Sequence, residues 1–144
     1  MKTLVTAFTF IWSGLLIGIS FMEAPLKFTA PNITTELGLG IGKIVFTALN
    51  SVEIFIAISL LIALFLLKAN RKTWLSYSLP MFILLIQTFW LLPVLNLRID
   101  NILAGIVLAP SKHHIVFIVL EAIKIISILT AGILWTNAIS KTEI

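Results

Sequence analysis

Four stretches of this chain, 4–22, 44–67, 74–95 and 115–135, are almost purely apolar, and each has 19 or more residues. A helix rises 1.5 Å per residue, so each stretch is long enough to cross ~30 Å of hydrocarbon. Lipid offers no hydrogen bonds to a bare backbone, which leaves helices or closed barrels as spanning structures. Uninterrupted apolar runs select helices. The expected fold is therefore all-α: a polytopic four-helix transmembrane bundle occupying 1–144 as a single domain. Its connections are too short for a folded extramembrane domain.

Composition agrees. Only 11% of the residues are charged and mean hydropathy is +1.14, whereas soluble domains carry roughly 25% charged residues. The net charge of +4 contains no dense basic run, so nucleic acid is not an expected partner. The absence of cysteine excludes disulfides, thiolate metal sites and redox dithiols. Lys2, the apolar run and Gly18-Ile19-Ser20 have the outline of a signal peptide. The run is longer than a usual signal core, and its removal would leave three spans, so the segment is read as retained.

With four spans, Lys2, Lys68, Arg71, Lys72 and Lys141 share one side. Lys27, Lys43, Arg98 and Lys112 share the other, spread over longer loops. The short basic loop Lys68–Lys72 places both termini in the cytoplasm by the positive-inside rule. The expected location is an inner membrane, with the lipid bilayer as the main partner. Trp74 and Trp135 are expected at the cytoplasmic interface.

Glu53 and Glu121 lie inside the second and fourth stretches. A carboxylate at the bilayer centre costs at least ~2.5 kcal/mol, so each needs a partner, a proton or a task. Counting along the helices puts Glu53 about 13 Å and Glu121 about 12 Å from their outer ends. Lys124 stands at i+3 from Glu121, on the same face. Asn50 stands in the same relation to Glu53. Gln87 and Ser13 fall at a comparable depth on the third and first helices. One polar layer formed by Glu53, Glu121, Lys124, Asn50 and Gln87 is therefore expected, facing inward. Two carboxylates and one ammonium leave one acidic charge over.

Shifting the chain by 68 residues superposes Pro25 on Pro93, Phe21 on Phe89, Glu53 on Glu121, Ser59 on Ser127 and Ala63 on Ala131. Glu and Pro are scarce here, so their coincidence points to two tandem helical hairpins. Parallel repeats are related by an axis along the membrane normal, which would put both glutamates at one depth. Pro25 and Pro93 would be equivalent ends of the first and third helices.

Other motifs carry less. Gly38-Leu39-Gly40-Ile41-Gly42 lacks both the third fingerprint glycine, where Lys43 stands, and a preceding strand. Gly38 and Gly42 form a GxxxG pair able to bring helices close. Asn32-Ile33-Thr34 matches a glycosylation sequon. His113 and His114 point about 100° apart and cannot clamp one metal together. His114 lies two turns before Glu121, which allows a proton relay between them. Glu23, Lys27 and Glu36 are expected to be solvated.

Trp12-Ser13-Gly14, then Pro25 and Phe28, then Val45-Phe46 and Asn50, resemble the first hairpin of small bacterial four-span membrane proteins. That set includes the copper-resistance D type, the haem-dependent protoporphyrinogen oxidase J type and families without assigned function. The resemblance implies a four-helix inner-membrane bundle. It does not extend to haem chemistry, because the first three spans contain no histidine, and no cofactor or metal is expected. Two functions compete: a non-enzymatic, proton- or ion-linked carrier, expected to work as a homodimer at this size, or an assembly subunit of a larger membrane complex. A membrane redox enzyme ranks third, since no catalytic constellation supports it.

Overall fold

Helix α1 runs over Lys2–Thr29, α2 over Thr35–Leu66, α3 over Arg71–Leu103 and α4 over His113–Ser140. The computed structural model describes residues 1–140. Lys141, counted above with the inner-side cations, lies outside the described residues. Each helix is long and apolar enough to cross a membrane, and the described residues contain no strand. The fold is an all-α four-helix bundle. Helix α4 packs against α1 and α3, and α2 closes the ring by touching the same two helices.

All four helices begin before the apolar stretches, and all but α2 run past their ends. Helix α2 starts at Thr35 rather than near 44, because Thr34 caps it, accepting the Leu37 N–H at 3.1 Å. Such a cap satisfies an orphan donor of the first turn. Asn70 does the same for α3, accepting from Thr73 N at 2.9 Å. The connection between α1 and α2 thus shrinks to residues 30–34, with Asn32 in the left-handed region at φ 62°.

Neither proline ends its helix. Pro25 follows a π-helical turn, Ile17–Glu23, and Pro93 follows another, Gln87–Leu91. A helical proline lacks an N–H and its ring presses on the carbonyl four residues back. Widening the preceding turn makes room for the ring, and α1 and α3 continue beyond it.

The core threads Val5, Trp12 and Leu16 of α1 with Ile56, Leu60 and Leu64 of α2, then Tyr77 and Leu84 of α3 and Ile128 of α4. The outward faces are also apolar; Phe65, Phe89 and Ile44 are more than two-thirds exposed. That is the pattern of a bundle solvated by lipid rather than water. Trp135 is buried in the bundle rather than turned to its surface, and its indole N–H donates to Thr6 at 3.2 Å. Thr9 and Tyr77, 68 residues apart, meet at 2.7 Å between α1 and α3. Near the connection between them, α1 lies so close to α2 that a Cβ on Gly38 would stand 2.3 Å from the Phe28 ring. The GxxxG pair therefore serves contact within the chain.

Candidate functional site: an intramembrane ion cluster

Lys124 ends between three acceptors from three helices. Its ammonium lies 2.5 Å from Glu53 Oε1, 2.9 Å from Glu121 Oε2 and 2.6 Å from Gln87 Oε1. Those three use its three donors. The Gln87 amide also donates to Glu121 Oε2 at 2.8 Å, closing a ring of Lys124, Gln87 and Glu121. Helix α1 supplies the remaining donors. Trp12 Nε1 donates to Glu53 Oε1 at 2.8 Å, and Ser20 Oγ to Glu121 Oε1 at 2.7 Å. Every helix thus contributes at least one group. Glu53, Gln87, Glu121, Lys124 and Trp12 are each at most 3% exposed.

The local structure explains the aim of these groups. Glu121 and Lys124 are one turn apart on α4, so their ends reach the same point. Gln87 is the first residue of the π turn before Pro93, and such bulges occur often at functional sites. Ser20 lies within the other π turn, before Pro25.

Four of the five expected members meet: Glu53, Glu121, Lys124 and Gln87. Asn50 does not join them. It is half-buried and donates to Thr88 Oγ1 of α3 at 2.9 Å. Its short amide bonds the neighbouring helix, whereas the long Lys124 stem bridges the same i, i+3 offset to Glu121. Ser13 is buried but donates to the Thr9 carbonyl of its own helix at 3.0 Å. Trp12 and Ser20 were not expected in the cluster. The available signal for Trp12 was its position ten residues into α1, too deep for an interfacial belt.

A cavity of about 490 Å³ opens between the four helix ends that lie away from the termini. The buried Glu121 and half-buried Ser20 line its deep end, the more exposed Lys43, Arg98 and His114 its rim, and the largely buried Lys27 its wall. His114 is exposed there; the structure puts it and Glu121 on one cavity without bringing them into contact. His113 instead bonds Ser111 at 2.6 Å and meets the Trp90 ring edge-on. Lys27 is not solvated as expected. Its side chain is 10% exposed, 3.4 Å from Glu23 and 5.6 Å from the Phe28 and Phe46 ring centres. Lys43 pairs with Asp100, and Arg98 donates to the Ala109 carbonyl. Among the described residues no group of three His, Asp or Glu is placed to hold a metal.

No family model, curated protein or solved structure matches this chain.

Proposed function

We propose that this chain is a non-enzymatic inner-membrane carrier that couples its cargo to a proton or cation through Glu53, Glu121 and Lys124. One observation carries the reading: Glu121 forms the floor of the outer cavity and also holds Lys124. A change of charge at Glu121 reaches the helix-joining ammonium directly. With both carboxyls ionised the cluster has one net negative charge. A proton or cation neutralises it, and an unneutralised buried charge is costly. Lys124 between two carboxylates gives the bundle two ways to pair, with Glu121 or with Glu53.

The tandem-hairpin reading supports the same mechanism. Glu53 and Glu121 stand 68 residues apart, and so do Thr9 and Tyr77, whose side chains touch. Equivalent residues meet only beside a symmetry axis. The π turn before each proline falls in corresponding parts of α1 and α3. Carriers built from parallel repeats place their coupling site at the repeat interface near mid-membrane. The resemblance to small bacterial four-span proteins is consistent with such a bundle. A carrier of this size would work as a homodimer.

The assembly-subunit reading has one observation in its favour. Among the described residues no buried polar side-chain atom lacks a hydrogen-bond partner, as a purely structural cluster requires. Glu53→Gln and Glu121→Gln, singly and together, separate the two. Wild-type protein in liposomes is expected to support proton or cation flux, and the double variant to lose it at least tenfold while keeping its helical circular dichroism. A wild type without flux, and a double variant that fails to fold, would establish the assembly role.

Both termini are placed in the cytoplasm. With single cysteines at Asn32 and Asn70, an impermeant thiol reagent added to intact cells is expected to label position 32 and spare position 70. The opposite pattern inverts the topology.

A further inference from the structure

We infer that the outer cavity is a binding site for an amphiphilic monoanion, a hydrophobic carboxylate whose head group is held by Lys27. The inference names the cargo of the proposed carrier, and to that extent it rests on that reading.

The cavity's size, about 490 Å³, lies within the ~300–1,000 Å³ typical of small-molecule sites. Its walls are chiefly apolar: Phe46 from α2, Leu92, Leu95 and Ile99 from α3, Phe117 and Ile118 from α4. Such walls call for a hydrocarbon body. The charged lining then decides the head group. Among the described residues, three lining side chains are Lys or Arg and Glu121 is the one lining carboxylate. Glu121 already accepts from Ser20, Gln87 and Lys124, which leaves one of its roughly four acceptor sites, room for a proton or a small ion but not for a bulky organic ammonium.

Two of the cations are also committed, Lys43 to Asp100 and Arg98 to the Ala109 carbonyl. Lys27 is different. Its side chain is nine-tenths buried, yet its ammonium has one ion-pair partner, Glu23, at a long 3.4 Å. An ammonium carries three donors, so two remain for a ligand. The Phe28 and Phe46 rings hold the ammonium beside the cavity. Gly42 makes room for it, since a Cβ there would lie 3.1 Å from Lys27 Nζ. A charge-assisted bond from a largely buried ammonium to a carboxylate is among the stronger polar contacts available.

Binding can be read without transport. The full chain in phosphatidylcholine nanodiscs is titrated with dodecanoate, dodecanol and dodecyltrimethylammonium by equilibrium dialysis, against empty nanodiscs. Saturable dodecanoate binding is expected, at least tenfold tighter than that of either other probe. Lys27→Gln should weaken it tenfold or more and Lys27→Arg should restore it. Ile99→Trp, which fills the cavity and leaves Lys27 intact, should also abolish it. A carrier that moves protons but fails to bind dodecanoate would overturn this inference alone. Equal uptake of all three probes, or preference for the ammonium, overturns it as well.

Discussion

Replacing Lys124 with methionine is expected to destabilise the bundle by about 3–5 kcal/mol, the usual loss when one partner of a buried ion pair is removed. Two carboxylates, Glu53 and Glu121, would face each other without the ammonium that holds both within 2.9 Å. Glu53 has no water to turn to, and Glu121 has only the cavity floor, since each is at most 3% exposed. The loss should appear as a lower midpoint in a sodium dodecyl sulfate titration from mild micelles, followed by circular dichroism. Combining Lys124→Met with Glu53→Gln and Glu121→Gln should recover most of it. Neutral groups then replace the whole ion set, a change that is often neutral or stabilising in other proteins. If Lys124→Met unfolds at the wild-type midpoint, the three charges are not bound to one another as described.

That cluster was legible in the sequence to the extent that lipid makes polar groups expensive. Glu53, Glu121, Lys124 and Gln87 stood out because each interrupts an apolar helix at mid-depth. Trp12 and Ser20 did not stand out. Indoles are ordinary in membrane helices, and a serine can satisfy itself on its own backbone, as Ser13 does through the Thr9 carbonyl. Their roles depend on how α1 is rotated against α2 and α4, which no period along one helix records. The same limit explains Asn50, placed at a suitable depth but directed to Thr88.

The spans were legible for a comparable reason, and their ends were not. Hydropathy marks where hydrocarbon lies, whereas helix ends are set by caps such as Thr34 and Asn70. Pro25 and Pro93 read as stops because a proline breaks a regular helical ladder. The π turns that let α1 and α3 continue leave no local signature in side-chain type. Lys27 misled by its charge: a long stem can bury its carbons against Phe28 and Phe46 while its head stays near Glu23.

Gln87→Leu should be the next most damaging change, at roughly 2–4 kcal/mol, because it removes two hydrogen bonds to charged groups at once. The amide gives its N–H to Glu121 at 2.8 Å and takes one from Lys124 at 2.6 Å. Leucine has nearly the same reach and fits the apolar surroundings, so packing changes little and the polar loss dominates. Asn50→Leu is the internal comparison. Its bond to Thr88 joins two neutral groups at 2.9 Å in a half-buried position. Interhelical hydrogen bonds of that kind average about 0.6 kcal/mol in a membrane protein. The two variants, unfolded side by side in the same micelles, should therefore differ by more than 1 kcal/mol. Equal losses would mean that Gln87 is one more interhelical contact rather than the group that joins Lys124 to Glu121. Glu121 would then be held by Lys124 and Ser20 alone. Ser20 is half-buried on the cavity side, so Glu121 would lie open to whatever the cavity admits.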